Sequence, residues 1–76
     1  MELNEFVAKF ADLFEDTDTS NFSGATDFRD NDEWSSLIGL SVIAMVDEEY
    51  DVALKGDDVK KAKTIEDLFN TVKSKM

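Results

Sequence analysis

The chain has 76 residues and a formal net charge of -10, and it contains neither histidine nor cysteine. The lack of both residue types excludes disulfides, thiolate nucleophiles, imidazole bases and the usual transition-metal ligands. Because 42% of the residues are hydrophobic, the composition is typical of a folded domain rather than of a disordered acidic tail. We predict a single domain over residues 1–76 with an all-α fold, the most economical architecture for so short a chain.

The charge is distributed unevenly along the chain. Residues 1–50 hold thirteen acidic residues against Lys9 and Arg29, a net charge of -11, whereas residues 51–76 hold five acidic residues against six lysines, a net charge of +1. An acidic surface disfavours nucleic acid and attracts partners with basic patches. The N-terminus lacks the features of a signal peptide, and no apolar run approaches the length of about 20 residues that spans a membrane. We therefore expect a cytoplasmic protein, and a monomer.

The N-terminal segment has the spacing of an amphipathic helix over about residues 3–15. Its apolar residues recur at steps of three and four: Leu3, Phe6, Val7, Phe10, Leu13 and Phe14. Residues 16–35 are rich in Asp, Thr, Ser, Asn and Gly, and they predict a long loop that Phe22 and Phe28 hold to the core. A loop of this length is unusual and indicates a functional or family-specific reason.

A second periodic run begins at Leu37 and predicts the second helix. Either Ser35 or Ser36 can cap this helix, because a serine side chain accepts a hydrogen bond from a free backbone N–H. The β-branched Val42 and Ile43 permit a strand locally, but the length and spacing of the run favour a helix.

Two further helices are predicted in the last third of the chain. Residues 56–63 are long enough for one or two helical turns around Val59 and Ala62. Thr64 is the expected N-cap of the final helix, with Asp67 in the place of the capping-box acid. The inner face of that helix is expected to hold Ile65, Leu68, Phe69 and Val72. The whole sequence predicts a four-helix bundle of three main helices and one short one, with a long loop between the first two.

The loop contains a partial match to a calcium-binding loop. Asp16, Asp18, Ser20 and Asp27 stand at its first, third, fifth and twelfth places. However, Asn21 occupies the place where the calcium loop needs glycine for its sharp turn, and the twelfth residue is not the usual glutamate. The pattern disfavours specific calcium binding and leaves open weak binding of divalent cations by the acidic surface.

The sequence also disfavours catalysis by the chain itself. A carboxylate acts as a general acid or base only where a pocket shifts its pKa towards neutrality, and the sequence indicates no such pocket. A serine without a histidine or a well-placed lysine is a poor nucleophile. We predict that the chain is not an enzyme.

The most informative segment, residues 33–38, reads Glu-Trp-Ser-Ser-Leu-Ile and precedes an acidic helix. Here the chain resembles the acyl carrier protein family, the phosphopantetheine-binding carrier proteins. Ser36 and Leu37 match the last two residues of the family's Asp-Ser-Leu motif. Residues 46–52 resemble the acidic end of the family's second helix, and residues 64–68 resemble the start of its final helix.

The resemblance implies that Ser36 carries a covalent 4′-phosphopantetheine arm, attached by a phosphopantetheinyl transferase. The arm would hold acyl or aminoacyl intermediates as thioesters and present them to loading and transferring enzymes with basic docking patches. The residues that the resemblance assigns to the partner surface are Leu37, Ile38, Ser41, Asp47 and Glu48.

One departure from the family bears on these expectations. Ser35 stands where the family has aspartate, and this leaves open whether the transferase modifies the chain. Ser35 and Ser36 can also be read as helix caps alone. The alternative function is therefore an unmodified carrier-fold module that binds a basic protein partner through the acidic second helix.

Overall fold

The computed structural model describes residues 2–76. Within this range the chain is all-helical and contains no strand, so the predicted all-α bundle is confirmed. Its helices are α1 Leu3–Ala11, α2 Ser36–Tyr50, α3 Gly56–Lys61 and α4 Ile65–Ser74, with a 3₁₀ turn at Phe28–Asp30. Helix α1 packs on α4, and the short α3 contacts both α2 and α4. No helix in the described range is both long and apolar enough to cross a membrane.

Helix α1 is shorter than the predicted span of residues 3–15. It ends at Ala11 because the chain tightens there: the N–H of Leu13 donates to the carbonyl of Phe10 at 3.1 Å, and the N–H of Phe14 donates to that of Ala11 at 3.0 Å. Such three-residue hydrogen bonds commonly close the last turn of a helix. Phe14 is still only 4% exposed, so the residue belongs to the core although it lies outside the helix.

Two phenylalanines hold the long loop to the core, as the sequence predicted. Phe28 is fully buried, and its ring centroid lies 5.1 Å from that of Phe10 and 4.7 Å from that of Trp34. Phe22 packs edge-on against Phe14 at 5.4 Å. Aromatic pairs in this distance range stabilise beyond their area of burial, so the loop is held at two points, with Phe28 on Phe10 of α1 and Phe22 on Phe14 just after it.

The Glu33 carboxylate ties the end of the loop to its beginning. It accepts hydrogen bonds from the backbone N–H of Glu15 at 3.0 Å and of Asp16 at 3.2 Å, and from the Thr17 hydroxyl at 2.6 Å. The Thr17 hydroxyl, followed by these backbone groups, lowers the pKa of Glu33, because each bond favours the charged carboxylate. The loop thus closes on itself immediately before Trp34.

Helix α4 begins with the predicted capping box. The Thr64 hydroxyl accepts from the N–H of Asp67 at 3.1 Å, and the Asp67 carboxylate accepts from the N–H of Thr64 at 3.2 Å. The residues of the predicted inner face are all buried: Ile65, Leu68, Phe69 and Val72. The predicted short helix is confirmed as α3, with Val59 and Ala62 buried at 5% and 4% exposure.

The long loop also supplies acceptors to the start of α4. The N–H of Ile65 donates to the Thr26 carbonyl at 3.1 Å, and the N–H of Glu66 donates to the Gly24 carbonyl at 2.8 Å. A β-carbon at Gly24 would lie 2.9 Å from Leu3 Cδ2 and 3.3 Å from Glu66 Cβ. Glycine fits this position without displacing a neighbour, whereas a larger residue would force Leu3 and Glu66 to shift where the loop passes closely between α1 and α4.

Candidate functional site

The two serines at the start of α2 have different roles. Ser35 is the N-cap in an extended conformation, and its Oγ accepts from the N–H of Ile38 at 3.4 Å. Ser36 is the first helical residue, and its side chain is exposed. Since Ser35 provides the cap, the hydroxyl of Ser36 is not needed for that purpose.

The first turn of α2 gives the Ser36 hydroxyl a positive environment. The N–H groups of Ser36 and Leu37 lie in the turn that has no intrahelical acceptors. No acidic residue occurs in this turn, so the positive end of the helix dipole is not offset there. This environment favours a negatively charged group attached to or placed beside the hydroxyl.

A groove of about 520 Å³ lies beside Ser36, between the N-terminal half of α2 and the short helix α3. This volume falls in the range of small-ligand sites, about 300–1,000 Å³. Apolar side chains form most of its wall, and two cationic side chains contribute to it. The lining residues are Arg29, Trp34, Ser35, Ser36, Gly39, Leu40, Ile43, Gly56, Val59 and Lys60.

Trp34 forms a rigid part of the groove wall. Its ring packs edge-on against Phe28 and lies nearly parallel to Phe10, at a centroid distance of 6.4 Å. Its backbone N–H donates to the carbonyl of Asn31 at 3.0 Å, and the preceding residue, Glu33, is held by the hydrogen bonds of its carboxylate. Because ring and backbone are both held, the indole provides a fixed surface next to the two serines.

Arg29 connects the 3₁₀ turn to α3 at the groove. Its Nη2 donates to the carbonyl of Val59 at 2.9 Å, which leaves other guanidinium N–H groups available as donors. Lys60, the neighbour of Val59, lines the same groove. The charged side chains that line the groove, Arg29 and Lys60, are both cationic, although the net charge of the chain is -10.

The outer face of α2 carries exposed apolar residues. Leu37 is 73% exposed and Leu40 is 64% exposed, whereas Ile38 and Ser41 are half-buried. The Ser41 hydroxyl donates to the carbonyl of Leu37 at 3.2 Å within the helix. Sequence reasoning placed Leu37 on the partner surface but omitted Leu40, although its three-residue spacing from Leu37 puts both on one face.

The periodic run predicted for α2 mixes two faces of the helix. Only Val46 is buried among the residues of the run, which are Leu37, Leu40, Ile43, Ala44, Val46 and Tyr50, and Leu37, Leu40 and Ala44 are exposed. The other buried positions of α2 are Gly39 and Val42, which do not belong to the run. Because apolar residues surround the N-terminal half of α2, their spacing alone does not indicate which face is buried.

The C-terminal end of α2 is acidic and exposed. Glu49 pairs with Lys9 at 3.7 Å, while Asp47 and Glu48 are exposed and form no ion pair within residues 2–76. The two carboxylates predicted to face partners are thus accessible. They lie on the same helix as Ser36, three turns further along it.

The residues of the partial calcium loop do not converge. The Asp18 carboxylate accepts from the N–H of Ser20 at 3.0 Å, which lowers its pKa, and the Asp27 carboxylate accepts from the N–H of Arg29 at 3.1 Å. Among residues 2–76 no group of three or more acidic side chains is arranged to hold a metal ion. The groove beside Ser36 is therefore the stronger candidate for a site.

Comparison of the chain with protein-family models, with curated proteins and with solved structures finds no match in any of the three. The function of the site is therefore inferred from its geometry, together with the sequence resemblance at residues 33–38.

Proposed function

We propose that the chain is an acyl carrier protein that carries acyl or aminoacyl groups on a 4′-phosphopantetheine arm attached to Ser36, and that performs no catalysis itself. The observation that supports this proposal most strongly is the exposed Ser36 hydroxyl at the first position of α2, beside a groove of about 520 Å³. Attachment requires an accessible hydroxyl, and the groove gives an attached group a surface to contact.

The residues around Ser36 fit the proposed arm. A phosphodiester on Ser36 would gain from the positive end of α2 and from Arg29 and Lys60, which line the same groove. When bound, the arm supplies a terminal thiol that holds acyl groups as thioesters. The chain has no cysteine and therefore no thiol of its own. The chain's own residues hold the attachment point, neutralise charge and shield apolar cargo from water.

The replacement of the family's aspartate by Ser35 is compatible with this role. Serine and aspartate are comparable as N-caps, and Ser35 Oγ accepts from Ile38 in the capping position. Because Ser35 is the N-cap, Ser36 is the first residue of α2, and this serine is the one that the resemblance assigns to the modification. The missing negative charge affects the surface that the transferase meets rather than the geometry of the hydroxyl.

Partner enzymes are proposed to dock on the outer face of α2. Leu37 and Leu40 offer apolar contact near Ser36, and Asp47 and Glu48 offer negative charge further along the helix. A complementary basic patch on the partner would associate quickly and in a salt-sensitive manner. We assign such a monomeric carrier to the cytoplasm, where its transferase and its partner enzymes would meet it.

The decisive experiment is co-expression with a phosphopantetheinyl transferase, followed by intact-mass measurement. We expect the mass to increase by one arm in the wild-type chain and in Ser35→Ala, and to remain unchanged in Ser36→Ala. An unmodified wild-type chain would contradict the proposed function. A mass increase that persists in Ser36→Ala and disappears in Ser35→Ala would transfer the attachment site to Ser35.

A second candidate is an unmodified interaction module that uses the same face of α2. The exposure of Leu37 and Leu40 beside an acidic helix end favours it, because this surface exists whether or not Ser36 is modified. This function predicts that the chain purified from its own source lacks the arm and binds a basic protein partner in a salt-sensitive manner. Recovery of the arm-bearing chain from that source would exclude it.

A further inference from the structure

The N-terminal turn of α2 makes few contacts that would fix its own position. The side chains of Ser35, Ser36 and Leu37 are all exposed, so none of them packs into the core. The cap is a single hydrogen bond of 3.4 Å from the N–H of Ile38, and the first turn contains no acidic side chain that could add a second one. The position of the Ser36 hydroxyl therefore depends on the segment that leads into the helix, residues 33–34.

Trp34 lies between the end of α1 and the start of α2. Its ring is nearly parallel to that of Phe10 and tilted by only 21° from that of Phe14, at a centroid distance of 6.4 Å from each. A β-carbon at Gly39 would lie 3.7 Å from the indole, so the first turn of α2 passes directly over the ring. A displacement of Trp34 would therefore displace the start of the helix.

Glu33 bonds this segment to the part of the chain that directly follows α1. Its Oε2 accepts from the N–H of Glu15 at 3.0 Å, and its Oε1 accepts from the N–H of Asp16 at 3.2 Å. The same Oε1 accepts from the Thr17 hydroxyl at 2.6 Å. The backbone N–H of Glu33 donates to Asn31 Oδ1 at 2.8 Å. Both the side chain and the backbone of Glu33 are thus held.

This set of bonds requires a carboxylate at position 33. Asp16 and Asp32 line the same cleft as Glu33, so a negative charge there is repelled by its neighbours. The pKa of Glu33 is nevertheless lowered, first of all by the bond from the Thr17 hydroxyl. Glutamine would lessen the repulsion, but it has one oxygen instead of two, and its NH₂ group would face the donors. The hydrogen bonds therefore account for the charge at this position.

We propose that Glu33 is a positioning residue for the modification of Ser36, because its carboxylate holds the segment that leads into α2 against the chain beyond α1. This inference rests on the proposed function. In the transfer, Ser36 Oγ bonds to the phosphorus of a pantetheine-bearing diphosphate such as coenzyme A, its proton passes to a base of the transferase, and the P–O bond to the nucleotide half breaks. Such a step needs the reacting atoms aligned at about 3–3.5 Å. Glu33 touches neither of them and acts through Trp34 and the backbone.

The first test is the steady-state rate of arm transfer from coenzyme A at varied concentrations of the chain, at a temperature where every variant is folded. Glu33→Gln should lower kcat by about tenfold or more, because a small misplacement of a reacting group is costly. It should leave KM near the wild-type value, since the outer face of α2 is unchanged. Asp32→Asn makes the same change in net charge and should alter neither constant. An unchanged kcat in Glu33→Gln, or an equal loss in Asp32→Asn, would overturn the proposal.

The other end of the anchor provides a test that leaves residues 33–38 intact. Thr17→Val removes the hydroxyl that donates to Glu33 and should lower kcat by a smaller factor than Glu33→Gln. The double variant should lose less than the product of the two separate losses, because both substitutions remove the same bond. Thr19→Val changes a second half-buried threonine of the loop and should leave kcat unchanged. Fully multiplicative losses would show that Thr17 and Glu33 act independently, contrary to the proposal.

A control of reduced stability separates positioning from stabilisation of the fold. Thr64→Ala weakens the capping box of α4, and it should lower the unfolding midpoint while leaving kcat and the emission of Trp34, the sole tryptophan, unchanged. Glu33→Gln should shift the emission of the folded chain and increase its quenching by acrylamide. If Thr64→Ala lowers kcat as much as Glu33→Gln does, Glu33 acts only through stability and the positioning role is wrong.

Failure of this inference can be distinguished from failure of the proposed function. Intact mass shows whether the wild-type chain accepts the arm at all. If it does, and Glu33→Gln is modified at the wild-type rate, the proposed function stands and the positioning role is wrong. If the chain accepts no arm, the proposed function fails, and the emission and quenching of Trp34 decide the anchor. A change in Glu33→Gln alone supports a segment held by Glu33, whereas no change, or an equal one in Asp32→Asn, overturns it.

Discussion

Helices α4 and α2 use their apolar residues differently. All four apolar side chains of α4 are buried, and they lie on one face. Helix α2 buries Val42 and Val46, yet Leu37 and Leu40 remain mostly exposed. Burial therefore accounts for the apolar residues of α4, whereas the outer face of α2 contributes little to folding and is available for binding.

The N-termini of α4 and α2 also differ in how many of their hydrogen-bonding groups the fold satisfies. Helix α4 has reciprocal hydrogen bonds between Thr64 and Asp67 and donates two further backbone N–H groups to carbonyls of the long loop. Helix α2 has the single 3.4 Å bond of Ser35 and no acidic residue in its first turn. The backbone N–H groups at the N-terminus of α4 are bonded within the fold, whereas the N-terminus of α2 remains accessible to a ligand.

The largest expected difference in the free energy of unfolding is that between two leucine substitutions, one in each helix. Leu68 is fully buried in α4 and Leu40 is 64% exposed on α2. Leu68→Ala should lower the free energy of unfolding by about 2–5 kcal/mol, and Leu40→Ala should change it by less than about 0.5 kcal/mol. Urea unfolding followed by circular dichroism measures both. A comparable loss from the two variants would mean that the outer face of α2 stabilises the fold.

The two N-caps should differ in their contribution to stability. Thr64→Ala removes one half of a capping box and should cost about 1 kcal/mol. Ser35→Ala removes a longer bond without a reciprocal partner and should cost about 0.5 kcal/mol. Chemical denaturation of both variants under identical conditions ranks them, and a larger loss from Ser35→Ala would contradict the contrast between the helix starts.

Acid should weaken α4 through Asp67. The N–H groups of Thr64 and then Lys63 lower the pKa of this carboxyl below its ordinary value, because they bond to the charged form. A lowered folded-state pKa means that the stabilisation is complete above the ordinary pKa and is lost as the pH falls through the folded-state value. Asp67→Asn should therefore lose less stability than wild type between about pH 5 and pH 2. Parallel pH profiles of the two proteins would contradict this assignment.

A substitution at the C-terminal end of α2 is expected to stabilise the fold. The Tyr50 hydroxyl oxygen is buried without a hydrogen-bond partner in the described range, while its ring packs against Phe6 at 6.0 Å and lies below Lys9 Nζ at 4.9 Å. Tyr50→Phe retains these ring contacts and should raise the free energy of unfolding by up to about 1 kcal/mol. A loss of stability on thermal unfolding would indicate a partner for the hydroxyl, such as an ordered water.

Much of the fold could be predicted because its signals are local. The capping residues Thr64 and Asp67 and the spacing of apolar residues define α4, and the two loop phenylalanines were identifiable as isolated aromatic residues in a polar stretch. The early end of α1 could not be predicted, since Phe14 keeps the helical spacing while the chain has already turned.

The candidate site was only partly predictable. The sequence indicated Ser36 and the acidic end of α2, but it did not separate the capping role of Ser35 from the exposed hydroxyl of Ser36. It also did not indicate the groove, because Arg29 and Lys60 lie far apart in the chain. They line the same groove only because the 3₁₀ turn contacts α3 through the bond from Arg29 to the Val59 carbonyl.

The sequence by itself determined the helical class, the excess of acidic charge and the absence of a thiol or imidazole from the chain, because composition and local periodicity are properties of neighbouring residues. The tertiary structure decided which face of α2 is buried, which serine is available and which residues form the groove. These features depend on contacts between distant segments, such as Arg29 with Val59 and Trp34 with Phe28. The spacing of residues along the chain does not indicate such contacts, and these contacts form the groove beside Ser36.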